Sequence, residues 1–130
     1  MEKTFSIIKP DATKRNITGS INKNIEENGL RIVAQKRIKL SIYQAKDFYQ
    51  IHSDKTFFND LIEYMTSEPV VVQVLSGNNA VETYRKIMGA TNPADSAPGT
   101  IRGDFGVDMG RNLIHGSANL EDAAREVSLF

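Results

Sequence analysis

His115 and His52 are the two histidines of a chain without cysteine, and they sit in different settings. His115 lies between Leu113-Ile114 and Gly116-Ser117, so its imidazole falls where a short apolar strand ends and the backbone becomes permissive. A ring placed there can act as a nucleophile or a base, or simply bond a neighbouring carbonyl as a rim side chain; the residue alone leaves these open. His52 continues a helical face begun by Phe48 and Tyr49, which reads as packing or surface. Three cations stand out. Lys9 follows an apolar run directly, Arg85 is near the end of a helix, and Arg102 lies in a glycine-rich segment able to close over an anion. Arg102 with Asp104 can equally be a local ion pair. Phe57 and Phe58 are adjacent, so on a helix they point about 100 degrees apart, and one can be exposed where a base would stack on it.

Other chemistries find no support. No G-x-x-x-x-G-K-S/T occurs, and the spacing of Gly103, Gly106 and Gly110 does not make G-x-G-x-x-G. Without cysteine there is no thiolate zinc site and no thiol redox chemistry, and the two histidines do not form H-E-x-x-H. A metal would have to arrive with its ligand. Sixteen Lys plus Arg balance sixteen Asp plus Glu. A net charge of zero offers no broad attraction to nucleic acid or an anionic membrane, so any anion site must be concentrated.

The elements that must position these groups follow from periodicity. Phe5 to Ile8 is a first strand, stopped by Lys9-Pro10-Asp11. Ile17, Ile21 and Ile25 mark a helix ending at Asn28-Gly29. Ile32, Ala34, Ile38 and Leu40 alternate with Arg31, Val33, Gln35, Arg37 and Lys39, which predicts a strand with one wet face. Ser41 and Gln44 have capping-box spacing ahead of a helix carrying Ala45, Phe48, Tyr49 and His52. Phe57, Phe58, Leu61, Ile62 and Met65 make the next helix, ended before Pro69. Val70 to Leu75 is a strand covered on both faces. Asn78 or Asn79 caps a helix with the stripe Ala80, Val81, Tyr84, Ile87 and Met88, stopped at Gly89. Residues 91 to 112 hold two of the four prolines and four of the nine glycines with little periodicity, which predicts a long functional loop. Leu113 to His115 is a last short strand, and Asn119 opens a final helix.

At 130 residues and 40% hydrophobic, the chain reads as one domain, residues 1–130, able to build a core without staples. The order predicts an α+β fold, a ferredoxin-like four-stranded antiparallel sheet with helices packed on one face and a long loop before the last strand. The longest apolar run, Val70 to Leu75, falls far short of the ~20 residues of a bilayer span. The start lacks the pattern of a secretion signal, so a cytoplasmic address is expected.

Read together, Ile8-Lys9-Pro10-Asp11-Ala12, Gly89 to Ser96, Pro98 to Phe105 and Gly110 to Ser117 resemble the nucleoside diphosphate kinase family over nearly the whole chain. The Asn-x-Ile-His-Gly-Ser segment is the most specific part. The resemblance implies a ping-pong transfer in which His115 takes the γ-phosphoryl of one nucleoside triphosphate and passes it to another diphosphate. It also implies that Glu126 pins one ring nitrogen, that Ser117 supports Glu126, and that Lys9, Arg85 and Arg102 clamp the phosphates with Thr91 and Tyr49 adding hydroxyls. Asn112 and Lys9 match positions that bond the sugar. Phe57, Leu61 and Met109 match apolar walls around the base, with tolerance for ATP, GTP and other bases. Mg²⁺ would come on the nucleotide, with no protein metal ligands. A homo-oligomer, hexamer or tetramer, is implied as well.

The sequence departs from the family where Ala118 replaces a common Asp and Glu68 a common Gly, and the family usually continues past the position of Phe130. Two other readings were open on the residues: a nucleotide- or partner-binding module that lost turnover, which would lack part of the residue set, and a DNA-binding role, which the neutral charge opposes.

Overall fold

The computed structural model describes residues 1–130. The elements run β1 (Glu2–Ile8), α1 (Pro10–Lys14), α2 (Thr18–Glu27), β2 (Arg31–Ile38), α3 (Ile42–Phe48), α4 (Phe58–Met65), β3 (Val70–Gly77), α5 (Ala80–Met88), α6 (Ile101–Phe105), β4 (Ile114–Gly116) and α7 (Leu120–Ser128). The strands pair antiparallel in the order β2-β3-β1-β4, the expected ferredoxin-like sheet. β1 is interior to the sheet and β4 lies at its edge, with His115 opposite Ile7.

Both faces of the sheet carry helices, where helices on one face were expected. Successive residues of a strand point to opposite sides, and β1 uses both. Ile8 packs with Ile21, Ile25, Tyr84, Ile87 and other residues beneath α2 and α5. Phe5 and Ile7 pack with Phe48, Ile62, Met65 and Val72 beneath α3 and α4. Being paired with Ile7, His115 projects to this second side, where α7 also packs on β1. Gly116 faces the first side. A Cβ there would come within 2.8 Å of the Met88 sulfur and the Tyr84 ring, so glycine lets β4 lie close on α5.

Several local rules hold. Ser41 Oγ accepts from Gln44 N at 3.1 Å while Gln44 Oε1 accepts from Ser41 N at 2.9 Å, the reciprocal cap expected for α3. Asn119 Oδ1 accepts from Asp122 N at 2.8 Å and starts α7. Others fail for identifiable reasons. Pro10, expected only to stop β1, also occupies the first position of α1, where its missing N–H costs nothing. Asn79 precedes α5 in left-handed backbone, φ 48°, and its side chain makes no capping bond. β2 is exposed along most of its length, Ala34 included, because it is the outer strand of the sheet and a bulge between Ile32 and Ala34 breaks the alternation. The long loop contains α6, capped by Thr100, whose hydroxyl accepts from Gly103 N at 3.1 Å.

Candidate active site

β4 and α7 bring His115, Ser117 and Glu126 together. His115 Nε2 lies 2.8 Å from Glu126 Oε1, and Ser117 Oγ donates to the same oxygen at 2.9 Å. Ser117 is itself fixed, its oxygen accepting from Phe5 N at 3.3 Å. Glu126 and Ser117 are buried, whereas His115 keeps an exposed edge. Desolvation alone would push the Glu126 carboxyl up, but its bonds from His115 and Ser117 and the charges of His115 and Arg125 hold it below the ordinary value. An ionised carboxylate only accepts, so Nε2 must carry the hydrogen. In a neutral ring the lone pair is then at Nδ1.

The surroundings favour the neutral ring over the charged one. Burial lowers its proton affinity, the Glu126 bond and charge oppose that, and the positive charges of Lys9 and Arg102 reinforce it. Phe48 meets the ring edge-on, centroids 5.1 Å apart at 83°, which limits its rotation. Aromatic contacts then run from Phe48 to Tyr49, on to His52 and finally to Phe57, linking His115 to the region of the exposed phenyl.

The cations form a second group. Lys9 Nζ donates to Asn112 Oδ1 at 3.1 Å, and Asn112 Nδ2 donates to Thr91 O at 3.0 Å. Burial first and the Arg102 charge second bring the Lys9 ammonium down to about 8, against a smaller opposing effect of Asp11. Arg102 is buried and does not pair with Asp104, whose carboxylate accepts from Gly99 N. Instead its guanidinium donates to Asn112 O at 3.2 Å, Ile114 O at 2.7 Å and Gly89 O at 3.4 Å. Three of five N–H groups are used, leaving two for an anion. Arg85, exposed on α5, is close enough for its charge to act on Arg102.

The side chains of the remaining candidates lie outside this network of hydrogen bonds. Tyr49 is buried with an unpaired hydroxyl, which burial and the Glu126 charge keep protonated. Phe57 and Met109 are exposed, Leu61 is half-buried against the cluster under α3 and α4, and the Thr91 side chain is exposed. Phe58, unlike Phe57, turns toward that cluster.

Comparison with known proteins decides the family. The nucleoside diphosphate kinase family model matches residues 2–130. The chain belongs to the nucleoside diphosphate kinase family. It is 59% identical over 130 residues to a nucleoside diphosphate kinase of Methylobacterium sp. (strain 4-46), covering all of this chain and 93% of that one. It is also 59% identical over 129 residues to that of Phenylobacterium zucineum, covering 99% and 93%. Among solved structures, the apo enzyme of Encephalitozoon cuniculi matches with a TM-score of 0.96 at 42% identity, over 100% of this chain and 88% of that one. A halophilic enzyme from Halobacterium salinarum in complex with CDP matches at 0.94 and 44%, over 99% and 86%. The activity is that of a nucleoside diphosphate kinase, a phosphotransferase that works by ping-pong through a phosphohistidine.

Four side chains at the site have no role that residue type or spacing points to. Phe48 belongs to a helical face whose target the sequence does not name, and Asp11 to the Lys-Pro-Asp motif. Tyr64 carries no sequence signal, and Leu113 enters only as part of the last strand and its motif. Leu113 has φ +78°, and holding a branched side chain there costs of order 1–2 kcal/mol. Nothing in residue type announces that.

Proposed function

We propose that His115 carries the phosphoryl group on Nδ1. The lone pair attacks the γ-phosphorus of a nucleoside triphosphate, the bond to the β-phosphate oxygen breaks, and the diphosphate leaves. A β-phosphate oxygen of a second diphosphate then attacks, and the P–N bond breaks. The observation that carries this reading is the 2.8 Å contact between Nε2 and Glu126, because it leaves the opposite nitrogen as the nucleophile.

Lys9, Arg85 and the two free N–H groups of Arg102 offset phosphate charge, which is most of what a protein contributes to phosphoryl transfer. Tyr49 adds a hydroxyl with no competing partner in the chain, and Thr91 another. Asn112 and Lys9 bond the sugar. Phe57, backed by Leu61, and Met109 wall the base without reading its edges, so purine and pyrimidine nucleotides, ATP and GTP among them, are all substrates. The CDP bound to the halophilic relative fits that tolerance. Mg²⁺ enters with the nucleotide, held by phosphate oxygens. A nucleotide-borne ion needs no ligand set from the chain.

Residues 1–130 act as one nucleoside diphosphate kinase domain in the cytoplasm, where both kinds of nucleotide are abundant. No helix of the chain is long and apolar enough to cross a membrane. A homo-oligomer, hexamer or tetramer, is supported by the open outer strand β2 with Val33 on its surface.

Incubation with γ-labelled ATP and Mg²⁺ should place an acid-labile, base-stable label on the wild-type protein and none on His115→Ala. Unchanged labelling of that variant would refute the assignment.

A further inference from the structure

Leu113 sits at the centre of a tight turn. Ile114 N donates to Asn112 O at 2.9 Å across a residue at φ +78°, which is a γ-turn of the strained, positive-φ kind. The turn is wholly buried at Leu113 and lies two residues before His115. Its two neighbours in sequence, Asn112 and Ile114, offer the carbonyls that Arg102 holds. On the other side Asp11 takes over. Asp11 Oδ2 accepts from Leu113 N at 3.1 Å, and Leu113 O accepts from Lys9 N at 2.7 Å. Asp11 is in turn anchored to α4, its Oδ1 accepting from the Tyr64 hydroxyl and its backbone N donating to the same oxygen at 3.3 Å.

We propose that Asp11 is a positioning residue for the transfer: it braces the strained turn at Leu113 and thereby sets both the His115 ring and the contact between Lys9 and Asn112. Strained backbone persists only where its surroundings over-determine it, and it gathers at functional sites. The Leu113 amide is buried, so without Asp11 it has no partner and the turn loses the contact that offsets its strain. Relaxation of Leu113 toward negative φ would swing Asn112 away from Lys9 on one side and His115 away from Glu126 on the other. Misplacement by an ångström at reacting atoms is enough to slow a reaction about a hundredfold. Tyr64 ties this brace to α4, whose preceding turn carries Leu61, so the base wall and the nucleophile share one support.

The proposal rests on His115 as the phosphoryl carrier, and two experiments separate the ideas. Quench-flow measurement of label transfer from γ-labelled ATP·Mg²⁺ gives the maximal rate of His115 phosphorylation, and amide hydrogen exchange reports on Leu113 and Ile114. Asp11→Ala should lower the maximal rate roughly thirtyfold and expose both amides to exchange, with the label still on His115. Asp11→Asn keeps an oxygen for the Leu113 amide and should stay within about threefold of wild type. A folded Asp11→Ala protein at the wild-type maximal rate overturns the proposal, as does an Asn variant as slow as the Ala variant. Should Asp11→Ala not fold, Tyr64→Phe decides. It should slow phosphorylation about threefold and loosen the Leu113 amide, and a wild-type rate with full protection overturns the brace. Loss of the carrier reading itself would show differently, as labelling that survives His115→Ala.

Discussion

At one end of the site, His115, Glu126 and Ser117 are joined by bonds of 2.8 and 2.9 Å, two of the three are buried, and every ring and carboxylate has a partner that fixes it. At the other end, Phe57 and Met109 are 49% and 61% exposed and stand outside the network of hydrogen bonds. The contrast suits the two tasks proposed for these ends. A nucleophile must present one atom along one line to phosphorus, so its geometry is paid for in advance by buried hydrogen bonds. A base of any identity needs only a π-face against an apolar wall, and fixed donors there would exclude some substrates. Substitutions at the two ends should therefore differ in kind as well as in size.

Glu126→Ala tests the rigid end and should have the largest effect among the supporting residues, about a hundredfold in kcat with KM little changed. The pH profile sharpens the test. With neutral His115 as the proposed nucleophile, activity should fall on the acid side, as pH drops through a value below the ordinary 6.5. Glu126 acts to raise that value, through its bond and its charge. Removing it leaves burial and the cations unopposed, and the acid limb should move to still lower pH. A limb that moves upward would mean that Glu126 does not govern the proton on the ring.

Lys9→Met probes the boundary between the two ends and should cost roughly thirtyfold in kcat/KM, the worth of a charge-assisted contact to phosphate. Stability should move the other way. The folded protein holds Lys9 at about 8 against an ordinary 10.5, because burial disfavours its charge. The unfolded chain therefore binds more protons between those values, and this group costs stability below pH 8, a cost that fades as pH rises toward 10.5. At ~1.36 kcal/mol for each pH unit the full cost is about 3 kcal/mol, reduced by about 1 for the Asn112 bond that methionine cannot make. Urea unfolding at pH 7 should thus find the variant about 2 kcal/mol more stable, and the gain should shrink by pH 10. A variant less stable at pH 7 would show that the burial of Lys9 is not the strain it is taken to be.

The two ends also differ in how much of them could be read from sequence. His115 and Glu126 sit on β4 and α7, with Ser117 just past the strand, and the start and spacing of these elements follow local rules: Asn119 caps α7, and the strand lies within the motif. The base wall was half legible: on a helix adjacent Phe57 and Phe58 point apart, so one could be exposed, and Phe57, just ahead of α4, is exposed while Phe58 packs inward. What sequence could not supply was everything set by pairing at a distance. The bulge that spoils the alternation of β2 depends on its register with β3. Arg102 looked free to pair with Asp104, yet the buried carbonyls of Asn112 and Ile114 need donors more than a solvated carboxylate does. The left-handed Leu113 is invisible for the same reason, because Asp11 lies 102 positions away in the chain.

Phe57→Ala should have the smallest effect and the most telling pattern. An exposed phenyl contributes about 1 kcal/mol of stacking, so KM should rise roughly fivefold while kcat at saturation stays near wild type. The rise should be similar for adenine, guanine and cytosine nucleotides, somewhat larger for the purines because their rings overlap the phenyl more. Because Phe57 reaches His115 only through His52, Tyr49 and Phe48, the pH profile should not shift. If kcat fell with KM, the base wall would be coupled to the nucleophile along those rings, and the division between a rigid end and a tolerant one would dissolve.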